Sequence, residues 1–346
     1  MKTRVCRLYG VNDIRVETQD VEAPGPGQVL VRIAAGGICG SDLHYYQDGG
    51  FGPIRVREPI ILGHEVAGTV EKVGENVDHL APGDQVALNP SQPCHNCKRC
   101  AEGIFQHCLN MRFYGSAMRF PHEQGAFRDL IVAQASQCEA INQDVSLAEA
   151  ACCEPLAVCL HARNRAGSLK GKRVLVTGAG PIGSLCVAAA HQAGAAQIVV
   201  TDLQDRTLEA AMQMGATQSI NVADNSAALE AFFEDRGTFD VAFECSAAPV
   251  ALKTAISAIR PQGTIVQVGV TGDIAIPLNL LVGKEITLKG THRFHAEFAE
   301  AADLLNTAQI DVKPIVTASY PLAQAKDAFE EAGDRSRAVK VQLTFA

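Results

Sequence analysis

The sequence predicts an α/β protein with two domains, one a barrel of short antiparallel strands and the other a doubly wound parallel sheet. Its 346 residues exceed what one hydrophobic core usually fills, so we expect two cores. Short alternating strands broken by Gly and Pro run to about residue 150. From about residue 155, apolar strands alternate with helices, which is typical of a parallel sheet covered on both faces.

The composition indicates a globular protein that binds neither nucleic acid nor membranes. The formal net charge is −8, and no run of Lys and Arg is long enough to neutralise a phosphate backbone. Nowhere do about 18 apolar residues follow one another. No apolar segment follows the basic residues at the N-terminus. We therefore expect a cytoplasmic protein.

The first domain is predicted from both ends of the chain. Strands are expected at residues 29–33, 67–73 and 85–88. Beyond residue 290 come helical stretches at 295–307 and 322–332 and a strand at 339–343. Because no further strand and helix unit follows, this tail is expected to return to the first domain. The predicted bounds are 1–154 with 291–346 for that domain and 155–290 for the second.

The second domain is predicted as a repeat of strands and helices. A helix is expected at residues 184–193, where Gly194 ends it, and another at 206–214. The expected strands are 172–177, 197–201, 218–222, 239–244, 264–268 and 285–289.

A glycine-rich turn follows the first of these strands. It reads Gly178-Ala179-Gly180-Pro181-Ile182-Gly183, and Asp202 ends the next strand. In this context the pattern predicts a Rossmann dinucleotide site. Gly178 permits the tight turn, Gly180 lets the backbone approach the pyrophosphate, and Gly183 allows close packing of helix on strand. The N-terminus of the helix favours the phosphates.

The cofactor is predicted to be NAD rather than NADP. Asp202 can accept hydrogen bonds from both adenosine ribose hydroxyls, and its charge would repel a 2′-phosphate. Arg206 could partly offset that repulsion or could be a solvated charge at a helix start. Pro181, Ile182 and Val268 complete the predicted cofactor contacts.

Four of the twelve cysteines form one dense motif, Cys94-x2-Cys97-x2-Cys100-x7-Cys108. Four thiolates complete a tetrahedral shell and leave no open position, which is the arrangement of a structural zinc. We expect a zinc lobe over about residues 89–112. The other cysteines lie mostly among apolar neighbours and are interpreted as packing residues.

A second set of metal ligands is dispersed. Cys39 offers a thiolate, His64 an imidazole, and either Glu65 or Glu154 a carboxylate. Three protein ligands and one replaceable water form the arrangement of a catalytic zinc, because the substrate oxygen must reach the metal.

The motifs around these ligands carry a family resemblance. Gly63-His64-Glu65-x2-Gly68-x5-Gly74-x2-Val77 and Gly37-Ile38-Cys39-Gly40-Ser41-Asp42-Leu43-His44 resemble the zinc motifs of the medium-chain alcohol dehydrogenase superfamily. Glu154 stands where the alcohol dehydrogenase branch has a third cysteine, as in the sorbitol dehydrogenase and polyol branch. The resemblance covers the whole chain. It implies a GroES-like catalytic domain, a Rossmann domain, two zinc ions and a nicotinamide cofactor.

The resemblance also implies roles for single residues. Zinc makes a secondary hydroxyl acidic, Ser41 accepts the proton and His44 passes it to solvent. Ser41 could instead satisfy a turn, and His44 could be an exposed loop residue. Asp42 orients His64. The third ligand is either Glu65, with Glu154 held through water, or Glu154 directly, and the sequence leaves both open.

Residues 89–94 and 111–118 are most similar to members of this branch that oxidise L-idonate at C5. A carboxylate on the substrate calls for a cation or several hydrogen-bond donors near the far end of the substrate. The candidates, each of which could instead be a surface charge, are Arg112, Arg119, His122 and Arg293. A neutral polyol or L-threonine is the alternative substrate. In the resembling family the apolar stretch 274–282 pairs subunits, so a homodimer or homotetramer is expected, although this stretch could equally be core.

Overall fold

The structure is a computed structural model that describes residues 1–270 and 272–345. The strands are β1 (Lys2–Gly10), β2 (Asp13–Asp20), β3 (Gln28–Gly37), β4 (Gly50–Phe51), β5 (Ile54–Arg55), β6 (Ile60–Ile61), β7 (Glu65–Val73), β8 (Gln85–Leu88), β9 (Ser91–Gln92), β10 (Arg112–Phe113), β11 (Leu130–Gln134), β12 (Cys138–Ile141), β13 (Arg173–Thr177), β14 (Gln197–Asp202), β15 (Gln218–Asn221), β16 (Phe239–Glu244), β17 (Ile259–Gln267), β18 (Thr287–Gly290), β19 (Val316–Pro321) and β20 (Lys340–Thr344). The helices are α1 (Gly40–Asp48), α2 (Lys98–Ala101), α3 (Leu147–Ala150), α4 (Cys153–Ala166), α5 (Pro181–Gln192), α6 (Asp205–Gln213), α7 (Pro249–Ala258), α8 (Leu278–Gly283), α9 (Glu297–Asn306) and α10 (Ala325–Gly333). In the described part of the chain, the helices are too short or too polar to span a bilayer.

The first domain is built on a largely antiparallel seven-stranded sheet. Its order is β12-β8-β7-β3-β20-β19, and β11 pairs with β3. The register places Gly37 of β3 opposite both Glu65 of β7 and Gln342 of β20. A side chain at Gly37 would collide with the Glu65 carboxylate, so only glycine allows this approach. Three strands therefore converge where β3 ends, and the C-terminal strands belong to this sheet.

The second domain is a six-stranded sheet in the order β15-β14-β13-β16-β17-β18, and every pair in it is parallel. Alternate residues of its central strands enter two separate cores. Val174 and Val176 lie in one core and Leu175 in the other. Helices therefore cover both faces, as the near-continuous apolar strands predicted. This is the α/β architecture expected from the sequence.

Helix α4 connects the domains. It begins at Cys153, two residues before the boundary predicted at residue 155. Leu156 and Leu160 of this helix share one core with Ala35 of β3, Val174 of β13 and Phe298 of α9. Because one core contains side chains from both sheets, α4 is packed against both domains.

Candidate active site

Three predicted metal ligands lie together at the end of β3. Cys39 precedes α1, His64 precedes β7, and Glu65 is the first residue of β7. One ligand atom from each residue lies within 4.8 Å of the other two. The antiparallel pairing of β3 and β7 produces this grouping, since it sets Gly37 opposite Glu65. Glu154, in the first turn of α4, lies outside this group and beside the neighbouring cavity.

Asp42 holds together the two segments that carry Cys39 and His64. Its fully buried carboxylate accepts hydrogen bonds from the backbone N–H groups of Cys39, at 3.1 Å, and of Gly63, at 3.2 Å. Its Oδ1 atom is 3.8 Å from Nδ1 of His64, which is too long for a hydrogen bond. Asp42 therefore fixes the backbone on both sides of the site and faces the imidazole.

Lys340 is a site residue that the sequence interpretation missed. Its Nζ atom donates to both carboxylate oxygens of Glu65, at 2.9 and 2.7 Å, and to the carbonyl of Ile38 at 3.2 Å. Burial opposes its charge, but Glu65 and Cys39 raise the pKa of Lys340 above its ordinary value. The sequence carries no signal for it, because the alternation in Val339-Lys340-Val341-Gln342-Leu343 predicts a solvent-facing lysine, whereas the structure buries Lys340. A buried lysine requires a partner of opposite charge.

The donor atoms fit a zinc ion. A thiolate, an imidazole and a carboxylate are all zinc ligands, and three protein ligands leave a position for substrate. Burial, followed by the charge of Glu65, raises the pKa of the Cys39 thiol to about 12. Burial likewise raises the pKa of Glu154 to about 8. A bound cation would favour the ionised form of both groups.

A cavity of about 230 Å³ adjoins the ligand group at His64. His64 and Glu154 line one part of it together with Ser41 of α1. Aromatic side chains and an arginine form much of the rest of the wall, so the cavity has both apolar and polar surfaces. These further residues include Tyr45, Phe51, Phe113, Tyr114, His292 and Arg293.

Arg293 is the one predicted substrate cation that lines this cavity. Its guanidinium lies 4.3 Å from the centre of the Phe113 ring, and one of its nitrogens lies 3.0 Å from the sulfur of Met118. Burial lowers the pKa of Arg293, while Glu154 acts in the opposite direction. Among the described residues Arg293 forms no ion pair at contact distance, so its guanidinium is available to an anionic substrate group.

None of the other predicted cations lines this cavity, although Arg119 lines a recess of about 10 Å³ that shares Met118 and Arg293 with it. Arg112 is exposed and forms two hydrogen bonds with Glu123, at 2.8 and 3.1 Å. Arg119 donates to the carbonyl of Asn110 at 2.9 Å. His122 is buried, and its Nε2 accepts from the backbone N–H of Arg57 at 2.9 Å. Local partners hold all three groups and account for their orientation.

His44 lies on the outer side of α1. It is exposed, and its Nδ1 is 3.0 Å from the Asp48 carboxylate. Its ring packs against Phe51, which lines the cavity, at 4.9 Å between centroids. His44 therefore lies between the cavity wall and solvent, three residues after Ser41 in the same helix.

The four predicted cysteines of the zinc lobe lie together. The sulfur atoms of Cys94, Cys97, Cys100 and Cys108 are within 4.8 Å of one another, and all twelve cysteines are free thiols. Backbone N–H groups point at these sulfurs, including those of Cys94 and Asn110, which donate to Cys108 at 3.2 and 3.3 Å. The Asn110 side-chain amide lowers the pKa of Cys94 to about 6. Such donors stabilise thiolates, which fits a tetrahedral zinc.

The zinc lobe packs against the segment that carries Arg293. The Phe105 ring lies 4.2 Å from that of His295, and His107 stacks on His292 at 5.4 Å. The zinc lobe therefore contacts residues that precede and follow Arg293 in the sequence.

The dinucleotide turn follows β13 as expected. Gly178 has φ = 87°, and a side chain there would collide with the backbone of Ser246. A side chain on Gly183 would collide with the carbonyl of Gly178. Gly180 precedes Pro181 at the start of α5, and a methyl group built on it would meet only one side-chain atom within 4 Å, so a phosphate can approach the backbone there. Ile182 is half-buried in the first turn of that helix.

Asp202 ends β14 beside this turn. Its carboxylate accepts from the backbone N–H of Ala179 at 2.6 Å and of Leu203 at 2.7 Å. Arg206 is exposed in the first turn of α6. Val268 follows β17, and its N–H donates to the backbone carbonyl of Glu244.

Glu244, at the end of β16, was also missed. Its buried carboxylate accepts a hydrogen bond from the backbone N–H of Ser246 at 2.9 Å. It also accepts hydrogen bonds from Oγ1 of Thr177 and Nε2 of Gln267. It thereby connects the ends of β13, β16 and β17. The carboxyl ends of parallel strands are where a dinucleotide binds.

Comparison with known proteins agrees with this geometry. Residues 25–143 match the model of the alcohol dehydrogenase GroES-like domain, and residues 181–307 match that of zinc-binding dehydrogenases. The chain is 41% identical over 346 residues to L-idonate 5-dehydrogenase (NAD(P)(+)) of Escherichia coli K12, covering 100% of this chain and 99% of the relative. It is 37% identical to a sorbitol dehydrogenase of Bacillus subtilis, covering 94% and 92%.

Solved structures give the same result. The crystal structure of the Escherichia coli L-idonate 5-dehydrogenase superposes with a TM-score of 0.94, covering 100% of this chain and 99% of the other. A zinc-binding dehydrogenase of Sinorhizobium meliloti bound to NADP is 28% identical, with a TM-score of 0.90 and 99% of both chains covered. The predicted family, fold class and cofactors are confirmed. The chain belongs to the zinc-dependent medium-chain dehydrogenase/reductase family and is an alcohol dehydrogenase that uses zinc and a nicotinamide dinucleotide.

Proposed function

We propose that this enzyme oxidises L-idonate at C5 to 5-keto-D-gluconate with NAD and catalyses the reverse reduction. The observation that carries the proposal is the position of Arg293. Its guanidinium lines the same cavity as His64 and Glu154, so one end of a sugar acid can meet the metal ligands while its carboxylate meets a cation. The 41% identity to an L-idonate 5-dehydrogenase supports the same substrate.

In this reaction each residue of the site has a separate role. Cys39, His64 and Glu65 would hold the zinc, with Asp42 and Lys340 keeping the ligands in place. A zinc ion bound there makes a hydroxyl group more acidic. Ser41 lies in the cavity wall and is positioned to accept the hydroxyl proton, and His44 provides the exit to solvent.

The dinucleotide is proposed to be NAD. Its pyrophosphate would lie on the N-terminus of α5, over Gly180. Asp202 lies at the end of the neighbouring strand, where its negative charge disfavours a 2′-phosphate. The exposed Arg206, four residues after Asp202, weakens this preference for NAD over NADP. The name of the Escherichia coli relative includes both NAD and NADP.

A neutral polyol is the second candidate substrate. The sorbitol dehydrogenases at 37% identity favour it, and so do the aromatic walls of the cavity. The cytoplasmic location stays a prediction, as does the homo-oligomer. The apolar side chains of Leu278 and Val282 in α8 are exposed, as an interface would require.

The test compares Arg293→Ala with Arg112→Ala, which removes an arginine that Glu123 holds outside the cavity. L-idonate, sorbitol, xylitol and L-threonine are assayed with NAD and with NADP. Because a charge-assisted hydrogen bond contributes about 1.5–3 kcal/mol, Arg293→Ala should raise the KM for L-idonate at least about tenfold. The KM for sorbitol should change far less, and Arg112→Ala should behave as the parent. Equal effects of Arg293→Ala on both substrates would contradict the sugar-acid assignment.

A further inference from the structure

The loop between α10 and β20 places an arginine at the dinucleotide turn. The nearest atom to a methyl group built on Gly180, outside its own helix, is Nη1 of Arg335, at 3.8 Å. Arg335 belongs to the C-terminal segment, whose strand β20 lies in the sheet of the first domain. A cation from the first domain thus faces the phosphate-binding end of α5 in the second.

We propose that Arg335 binds the pyrophosphate of the dinucleotide, so that both domains hold the cofactor. The absence of a side chain at Gly180 lets the pyrophosphate approach the backbone, and Arg335 borders the space that this glycine leaves open. The N–H groups of Ile182 and Gly183 precede the first hydrogen bond of the helix, which Ser184 donates to Gly180. Arg335 adds a full positive charge to these donors.

The loop that carries Arg335 has a defined conformation. The Asp334 carboxylate accepts from Ser336 N at 3.0 Å and from Ser336 Oγ at 2.6 Å. The carbonyl of Asp334 accepts from the N–H groups of Arg337 and Ala338, at 3.0 and 3.2 Å. The backbone on both sides of Arg335 is therefore held in a turn.

The neighbouring arginine behaves differently. Arg337 forms an ion pair with Glu331 at 2.8 Å. Among the residues that the structure describes, no hydrogen bond or ion pair holds the guanidinium of Arg335, which is exposed. Arg335 is therefore free to bind an external phosphate, and Arg337 supplies a matched control.

The position also connects two sites. Arg335 precedes by five residues Lys340, whose ammonium group holds Glu65 beside the other metal ligands. A pyrophosphate bound to Arg335 would attach the start of β20 to the second domain. The segment that supports the metal ligands would then also contact the cofactor.

The experiment measures the Kd of ADP-ribose and of adenosine for the zinc-loaded enzyme by isothermal titration calorimetry. ADP-ribose has the pyrophosphate but no nicotinamide, and adenosine lacks phosphate. Arg335→Ala should raise the Kd of ADP-ribose on the order of tenfold and leave that of adenosine unchanged, since only a phosphate contact is removed. Because exposed charges are screened, added salt should weaken ADP-ribose binding less in Arg335→Ala than in the parent.

Arg335→Lys should recover part of the affinity, and Arg337→Ala should match the parent. An ADP-ribose Kd for Arg335→Ala within twofold of the parent value would overturn the proposal. An equal rise for adenosine would also overturn it, because it would assign Arg335 to the structure of the loop rather than to the phosphate.

Discussion

The two predicted zinc sites differ in how their ligands are brought together. All four cysteines of the lobe come from residues 94–108, and local turns with backbone N–H donors place their sulfurs. The other site takes Cys39 and His64 from separate loops and depends on Lys340 from the last strand. The first site is a local structure, whereas the second depends on the folding of the whole barrel. Only the second adjoins a cavity with Ser41 and Arg293 in its wall.

The largest effect is expected for a variant that tests whether the dispersed site, rather than the cysteine lobe, supports turnover. Cys39→Ser should lower kcat on the order of a thousandfold, since a metal contributes several kcal/mol of charge stabilisation to the transition state. Elemental analysis should find one zinc fewer per subunit, with the lobe still loaded. NADH fluorescence titration should give an unchanged Kd.

The matched control for that variant is Cys6→Ser, which changes a buried thiol outside both ligand sets. It should keep its full metal content and kcat. If Cys39→Ser retained both zinc ions and its turnover, the dispersed ligand set would be wrong.

The same contrast explains what the sequence could predict. The cysteine spacing and the glycine turn are local patterns, and in the structure the sulfurs of Cys94 and Cys108 and the turn at Gly178 lie as those patterns require. The parallel strands were predicted from continuous apolar runs. The strand expected to start at residue 264 starts at Ile259 instead, because the chain pairs across a bulge that includes Gln262 at φ = 60°.

The missed features depend on contacts distant in sequence. Lys340 meets Glu65 across 275 residues, and no spacing rule connects them. The orientation of Arg112 depends on Glu123, and that of His122 depends on Arg57, so neither could be separated from Arg293 by composition alone. Which group a surface arginine pairs with depends on the residues that the fold brings close to it.

A smaller loss is expected at Lys340. Lys340→Met leaves the buried Glu65 carboxylate without its cation, and loss of a residue that orients a metal ligand typically costs about tenfold to a hundredfold in metal affinity or activity. The zinc Kd of the dispersed site, measured by competition with a chelator, should rise by that factor. Lys340→Arg keeps the charge and should recover part of the loss. An unchanged zinc Kd in Lys340→Met would show that Glu65 is held without the lysine.

The smallest effect on turnover is expected in the lobe. Cys108→Ser removes one of four thiolates and should release only the lobe zinc, lowering the melting temperature by roughly 4 °C for about 3 kcal/mol lost. Well below the melting temperature, kcat should stay within about threefold of the parent, because the dispersed site is intact. The KM for L-idonate should rise more than kcat falls, since His107 and Phe105 of the lobe pack against the residues flanking Arg293. A kcat loss as large as that of Cys39→Ser, with the dispersed zinc still bound, would mean that the two sites are not separable in function.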